Sequence, residues 1–254
     1  MAWDPKVYNK FKQERSAPFE DLAALIKISE GLRVIDLGCG TGELTARLAG
    51  MLPKAEVLGI DSSAEMLKES EKFTAPNLRF EQSTIESQIN DTQKFDFIFS
   101  NAALQWVDDH EKLIPQIISI LKPGGQIIIQ MPSQHHNTLN IIIEQLISTP
   151  PFSHQLNHWK RPSPVLSMDR YAQILFENGS KSMTLFEKMY PVIVQDVDAL
   201  YNWVAGTTIL PYLERLDDTG KEELVSAFRK EAQKHFNTTP ILYPFKRILI
   251  GADF

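Results

Sequence analysis

The chain has 254 residues, 43% hydrophobic and 23% charged, enough for one large α/β domain or a domain with an inserted cap. Its formal net charge of −6 argues against sequence-independent nucleic-acid binding, which relies on clustered Lys and Arg to displace counterions. The single cysteine, Cys39, excludes an internal disulfide, no signal peptide is legible, and no apolar run is long enough to span a bilayer. The expectation is a cytoplasmic protein with neither nucleic acid nor membrane as partner, its oligomeric state open.

In chain order, residues 5–28 read as an N-terminal helix and Arg33-Val34-Ile35-Asp36-Leu37 as a buried strand. A glycine loop follows, then a helix from Glu43 to Met51 with Leu44, Leu48 and Met51 on one face. Glu56 to Ile60 is a second strand ending at Asp61, and Ser62 or Ser63 is placed to N-cap the next helix, which carries Met66 and Leu67. Leu78–Gln82 and Phe95–Asn101 read as the third and fourth strands. Glu111 to Leu121 reads as a helix stopped by Pro123-Gly124-Gly125, and Gln126 to Met131 as a fifth strand stopped by Pro132. Strands alternating with helices at this spacing predict a doubly wound, mostly parallel α/β sheet with right-handed crossovers.

Beyond Pro132 the alternation lapses into a stretch rich in His, Asn, Pro and Ser, with one apolar helical segment at Leu139 to Leu146. A helix (Asp169 to Asn178) and a strand (Met183 to Tyr190) resume it. Helices at Val197 to Ala205 and Lys221 to Phe236 and a last strand within Phe245 to Ala252 complete the chain. The expected organisation is a single domain over residues 1–254, with residues 5–28, 133–168 and 197–240 forming a helical substrate cap.

The segment Asp36-Leu37-Gly38-Cys39-Gly40-Thr41-Gly42 carries the chemistry. Glycines between a strand and a helix N-terminus mark the place where open α/β sheets bind nucleotides. A dinucleotide fingerprint would put its third glycine at Glu43, whose carboxylate is unfavourable beside a pyrophosphate, and no Gly-Lys-Ser/Thr closes a P-loop. Spacing G-x-G-x-G behind an acid suits a cationic nucleoside without phosphates, and Asp61 is placed to accept both ribose hydroxyls. His135, His136, His154 and His158 lack Cys or acidic partners at ligand spacing, so no metal is expected. Cys39 reads as a small side chain fitting the loop rather than a nucleophile.

The D-L-G-C-G-T-G loop and the I-D-S-S-A-E-M-L segment resemble class I S-adenosylmethionine-dependent methyltransferases. W-D-P-K-V-Y…F…E-R-S-A-P, S-N-A-A-L-Q-W-V-D-D-H, Q-M-P and F-K-R-I-L-I-G-A resemble the trans-aconitate 2-methyltransferase family over essentially the whole chain. The resemblance implies a Rossmann-like sheet of seven strands with the last antiparallel, and S-adenosyl-L-methionine as cofactor, leaving as S-adenosyl-L-homocysteine. It implies cofactor contacts at Arg15, Asp36, Gly38, Gly40, Gly42, Asp61, Ser62, Met66, Thr84, Ile85 and Asn101. Two positions depart from the family pattern: Thr84 stands near where an acid often accepts the adenine amine, and Leu210 stands where an arginine is expected.

Esterifying a carboxylate needs no general base, because carboxylic acids are ionised above a pKa of ~4. Placement and exclusion of water suffice, so no catalytic residue is expected; a phenol, amine or alcohol acceptor would want a base, for which His110 is the nearest candidate. A polyacid needs fixed cations and donors. The candidates on the substrate side are Tyr8, Arg15, Gln105, Trp106, Trp203 and Tyr212, with Phe11 on the face of Tyr8 and Arg15, and His158, Lys160, Arg161, Arg170 and Arg215 in the later half. Each has a bland alternative as core or solvated surface. The expected activity is methylation of a small polycarboxylic acid, trans-aconitate-like. The alternatives are a malonyl-carrier-protein carboxylate methyltransferase and a cofactor-binding regulatory protein.

Overall fold

A computed structural model describes residues 12–27 and 31–254, with side chains from Ala17 onward. Of the expected N-terminal helix, the described part is α1 (Lys12–Ala23). The chain then alternates: β1 (Arg33–Leu37), α2 (Glu43–Met51), β2 (Glu56–Asp61), α3 (Ala64–Ser70), β3 (Leu78–Gln82), α4 (Ile85–Ile89), β4 (Phe95–Asn101), α5 (His110–Ser119) and β5 (Leu121–Pro132). There follow α6 (Thr138–Ile147), α7 (Phe152–Gln155), α8 (Met168–Glu177), β6 (Ser182–Val194), α9 (Val197–Ala205), α10 (Leu210–Leu213), α11 (Asp218–His235) and β7 (Ile241–Asp253). The strands form one seven-stranded sheet in the order β3-β2-β1-β4-β5-β7-β6. Strands β1 to β5 pair in parallel and β7 runs antiparallel to β5.

Two strands start several residues earlier than in the sequence reading, and one helix buries a different face. β5 begins at Leu121 rather than Gln126, because the chain's end is paired with Pro123-Gly124-Gly125: Gly124 N donates to Phe254 O and Phe254 N to Gly125 O, both at 2.9 Å. β7 begins at Ile241, where Ile241, Tyr243 and Phe245 alternate inward despite the flanking prolines. The buried stripe of α2 is Thr45, Leu48 and Ala49, and Met51 is exposed.

The chain divides into two compact units. One comprises Ser16–Pro132, Pro164–Lys188 and Arg247–Phe254. On one face of its sheet Ile35, Leu37, Ile98, Ile129, Met131, Ile248 and Ile250 are buried with Leu113, Ile114 and Ile117 of α5 and Tyr171, Ile174 and Leu175 of α8. Fully burying each such side chain contributes about 1.5–3 kcal/mol. The opposite face carries the alternate residues, and there Phe19 of α1 meets Phe99 edge-on at 5.8 Å.

The other unit includes Ser133–Ser163 and Met189–Lys246. Its core gathers Leu139, Ile142, Ile143 and Ile147 of α6, Leu200, Trp203 and Val204 of α9, and Leu224, Phe228 and Ala232 of α11, with Tyr243 and Phe245 of β7. Among the described residues no helix is long and apolar enough to cross a membrane, and no group of His, Cys, Asp and Glu is arranged to hold a metal ion.

Candidate functional site

The loop after β1 is held by its neighbours. Gly38 N and Cys39 N both donate to Ile60 O of β2, at 2.9 and 2.8 Å. Gly38 has φ +81°, and a Cβ there would lie 2.2 Å from Ala103 Cβ, so protein packing alone demands glycine. Gly42, also left-handed, caps α2 and sits against Ser70 and Phe80. Gly40 differs: the nearest atom to a Cβ there is Met66 Cε at 3.5 Å, so its bare face leaves room for a ligand. Met66, among the expected cofactor contacts, is the side chain nearest this position.

Three acceptors surround the loop. Asp61 at the end of β2 accepts from Gly40 N (Oδ2, 2.9 Å) and from Ser63 N (Oδ1, 2.8 Å). A carboxylate has about four lone-pair positions, so two bonds leave capacity for ribose hydroxyls. Asp36 is buried; its Oδ2 accepts from Thr45 Oγ1 at 2.6 Å, while Oδ1 has no partner. Burial raises the Asp36 carboxyl to about 7; the Thr45 hydroxyl opposes this and the Asp61 charge adds to it. Asn101, ending β4, likewise has an unpartnered buried Oδ1. A buried acceptor left unpaired costs about 1–3 kcal/mol. Two unpaired acceptors beside an open glycine therefore fit a ligand that brings cations and donors, as a sulfonium nucleoside with an amino-acid tail does. Burial and the two nearby aspartates push the Cys39 thiol far up, which makes it a poor nucleophile.

The remaining cofactor-side residues are placed as follows. Ser62 is exposed, and Ser63, not Ser62, caps α3 through Oγ to Met66 N. Thr84 is exposed and caps α4, its Oγ1 accepting from Ser87 N at 3.1 Å, so part of its hydroxyl capacity is taken. The Ile85 side chain is buried in the core of the first unit, leaving only its backbone for a ligand. Arg15 lies in α1, with its side chain outside the described residues; Tyr8 and Phe11 lie outside them altogether.

Beyond β4, Ala102 adopts φ +59°, a left-handed conformation rare for a residue with a Cβ. The turn is braced by Ala102 N to Gln130 O at 2.9 Å and by Gln105 Nε2 to Ala102 O at 2.7 Å. Gln105 is thus a buried brace, with Oε1 unpartnered, and Trp106 beside it is 48% exposed. His110 is buried and both its ring nitrogens are engaged. Nε2 donates to Leu104 O at 2.9 Å, so Nδ1 accepts from the Tyr171 hydroxyl at 2.5 Å. Burial holds its pKa below the usual histidine value, and no lone pair is left to act as a base.

The later candidates divide by packing. Arg170 pairs with Glu111 through Nε and Nη2, at 2.7–3.0 Å. Trp203 packs on Phe245 at 5.2 Å and Tyr243 at 6.3 Å, and Tyr212 packs on Trp159 at 5.5 Å. Both are core residues of the second unit. Arg215 stacks over the Trp159 ring at 3.6 Å. His158 and Lys160 are exposed, and Leu210 opens the one-turn helix α10. The sequence reading passed over Thr45, which holds Asp36, and a buried pair, Gln130 and Arg247, whose Nη1 donates to Gln130 Oε1 at 3.1 Å. For Gln130 and Arg247 the signal was polarity within apolar strands; Thr45 lies in the first turn of α2.

The family described as a methyltransferase domain matches residues 28–189. A trans-aconitate 2-methyltransferase of Deinococcus radiodurans is 39% identical over 258 residues, covering 99% of this chain and 98% of the relative. Another, of Variovorax paradoxus, is 31% identical over 98% of this chain and 95% of its own length. Among solved structures, the YcgJ protein of Bacillus subtilis superposes with a TM-score of 0.59 at 19% identity, over 95% of this chain and 98% of that one. A Haemonchus contortus phosphoethanolamine N-methyltransferase solved with S-adenosyl-L-methionine gives a TM-score of 0.54 at 17% identity, over 92% of this chain and 52% of that one. These likenesses show the fold; the sequence relatives settle the family. The chain belongs to the trans-aconitate 2-methyltransferase family, S-adenosylmethionine-dependent methyltransferases on a Rossmann-like α/β sheet.

Proposed function

We propose that this chain transfers a methyl group from S-adenosylmethionine to a carboxylate of trans-aconitate or a closely similar small polycarboxylic acid. The observation that carries the reading is full-length identity of 39% to a relative bearing that name, joined to a loop ringed by the acceptors Asp36, Asp61 and Asn101. Bound S-adenosylmethionine supplies an electrophilic methyl on a sulfonium. Asp61 takes the ribose, Asp36 the positive amino-acid end, and the bare face of Gly40 seats the body of the cofactor beside Met66. The contacts of Ser62, Thr84, Ile85 and Arg15 belong to the same proposal.

No residue of the chain has to remove a proton, because the accepting carboxylate is already ionised at neutral pH, titrating near ~4. The work of the chain is to hold nucleophile and methyl in line, worth up to ~7–11 kcal/mol of barrier, and to exclude water. The engaged ring of His110 agrees with this, since an alcohol or amine acceptor would call for a free base. Assignment of residues 133–168 and 197–240 to a substrate cap, with Trp106 and Gln105 beside the acceptor, is part of the proposal.

The deciding assay is radiolabelled methyl transfer to trans-aconitate, isocitrate, citrate and a malonyl thioester in parallel. Base-labile methyl ester formed on the tricarboxylates is the expected result. Label on the malonyl thioester alone would move the acceptor to a carrier-bound acid, and no label on any acid would overturn the reading.

A further inference from the structure

The turn after β4 carries two energetic costs at one place. Ala102 N still donates to the neighbouring strand, to Gln130 O at 2.9 Å, and at φ +59° the chain then leaves the sheet. The Ala102 carbonyl lies beyond Asn101, the last residue of β4, and Gln105 Nε2 donates to it at 2.7 Å. The first cost is Ala102 itself, because a residue with a Cβ is strained in the left-handed region that glycine or asparagine enters readily. The second is Gln105, which is 6% exposed and whose Oε1 is buried with no hydrogen-bond partner. A turn that only redirected the chain would need neither.

Both costs fall where the glycine loop meets the end of β4. Ala103, next in the chain, packs so closely on that loop that a Cβ on Gly38 would lie 2.2 Å from its own. Asn101, the residue before, holds one of the unpartnered acceptors of the cofactor site. Rotation of the Ala102 peptide would therefore move two groups of that site together. On the far side the chain is fixed independently, since His110 Nε2 donates to Leu104 O at 2.9 Å. Strain held in place by surrounding contacts is found where a conformation serves function. We propose that Gln105 is a positioning residue for methyl transfer: by pinning the Ala102 carbonyl it keeps the turn left-handed, and so holds Asn101 and the Gly38 loop in register for the cofactor. Gln105 acts on the backbone and does not grip the acceptor acid. This inference rests on the methyltransferase reading above and gives the turn its part in it.

The test is Gln105→Met, which keeps the length of the side chain and removes the donor. It removes the stranded Oε1 as well, so the melting temperature should stay close to wild type. The expected result is a kcat on trans-aconitate lowered about ten-fold, the factor that the left-handed preference of one alanine can carry, with KM changed less than about two-fold. Adding Ala102→Gly should restore most of the lost kcat, because glycine holds φ +59° without the brace. Ala102→Gly alone should keep kcat within about two-fold of wild type. A normal kcat in Gln105→Met overturns the positioning role, as does a lowered kcat that Ala102→Gly fails to restore. A raised KM that the second change does not relieve also overturns it and makes Gln105 a direct contact of the acid. Each of these leaves the methyltransferase reading intact. If wild type labels none of the acids, that reading fails and the positioning role with it.

Discussion

Replacing Asp36 with asparagine removes a charge while keeping the shape, and the structure assigns this change two effects of opposite sign. In the ligand-free protein burial lifts the Asp36 carboxyl to about 7, with the Thr45 hydroxyl opposing and Asp61 adding to the rise. A cationic cofactor group beside the unpartnered Oδ1 pulls the pKa down, so binding at acid pH must release a proton. If the carboxyl titrates near 7 when free and stays ionised in the complex, affinity falls about thirty-fold between about pH 8 and about pH 5.5. Calorimetric titration with S-adenosylhomocysteine reads this directly. Asp36→Asn should give a flat profile, weak at both ends. Its effect on folding runs the other way. A carboxyl raised on folding stabilises the protein fully below its unfolded value of ~4 and loses that contribution as the pH climbs through about 7. At about pH 8 the charged carboxyl is a burden, so the ligand-free asparagine variant should melt higher than wild type. A wild-type affinity independent of pH, or an asparagine variant that keeps the slope, would refute the pairing of Asp36 with a cofactor cation.

Three further outcomes are expected. Asp61→Asn should weaken S-adenosylhomocysteine binding more than about ten-fold, since it removes charge-assisted bonds to Gly40 and Ser63 and, in the proposed role, to ribose; unchanged affinity would withdraw the ribose assignment. Gly38→Ala should be strongly destabilising because its Cβ meets Ala103 at 2.2 Å. Gly40→Ala should remain folded, carrying only the ~1–2 kcal/mol strain of a left-handed alanine, yet lose cofactor affinity; equal melting temperatures for the two would show the loop to be misread. His110 is held neutral in the fold, so its contribution to stability is complete above its unfolded value of ~6.5 and is lost progressively as the pH falls below that value toward the lower folded one. His110→Phe should melt lower at about pH 8 and flatten the acid limb of the stability curve. Loss of kcat with an unchanged melting temperature would instead identify a base.

The loop and the first five strands were legible because their residues speak locally: glycine for left-handed turns, β-branched runs for buried strands, Asp at strand ends. What was not legible depends on long-range pairing. Pro123-Gly124-Gly125 reads as a terminator, but Phe254 draws it into the sheet from far along the chain. Pro240 and Pro244 hid the first half of β7, whose alternation of Ile241, Tyr243 and Phe245 only makes sense with a core to enter. The same limit governed the site. His110 looked like a base until Tyr171, 61 residues away, was found on its Nδ1. Trp203 and Tyr212, expected as substrate contacts, pack against rings far along the chain that no local pattern announces. Gln130 and Arg247 stand in the Q-M-P and F-K-R segments, yet their pairing was not legible because 117 positions separate them.

The charge on the two reactants decides where a fixed charge of the chain is useful. Methyl transfer from a sulfonium to a carboxylate joins a cation and an anion into two neutral products, so charge disappears as the transition state forms. Fixed charges placed on the reacting atoms would stabilise the ground state more than the transition state and slow the step. A site that needs binding strength must therefore grip both substrates by their remote ends. Asp36 on β1, in the role proposed above, has the sign required for the positive tail of the donor. Asn101 on β4 has an unpartnered Oδ1, which offers a hydrogen bond without adding charge. A monocarboxylic acid of similar size lacks the second grip, and the loss should fall on kcat as well as KM, because remote binding energy is what orients the nucleophile. Comparing an unsaturated monocarboxylate with trans-aconitate tests this, and an equal kcat for the two would show that orientation comes from elsewhere.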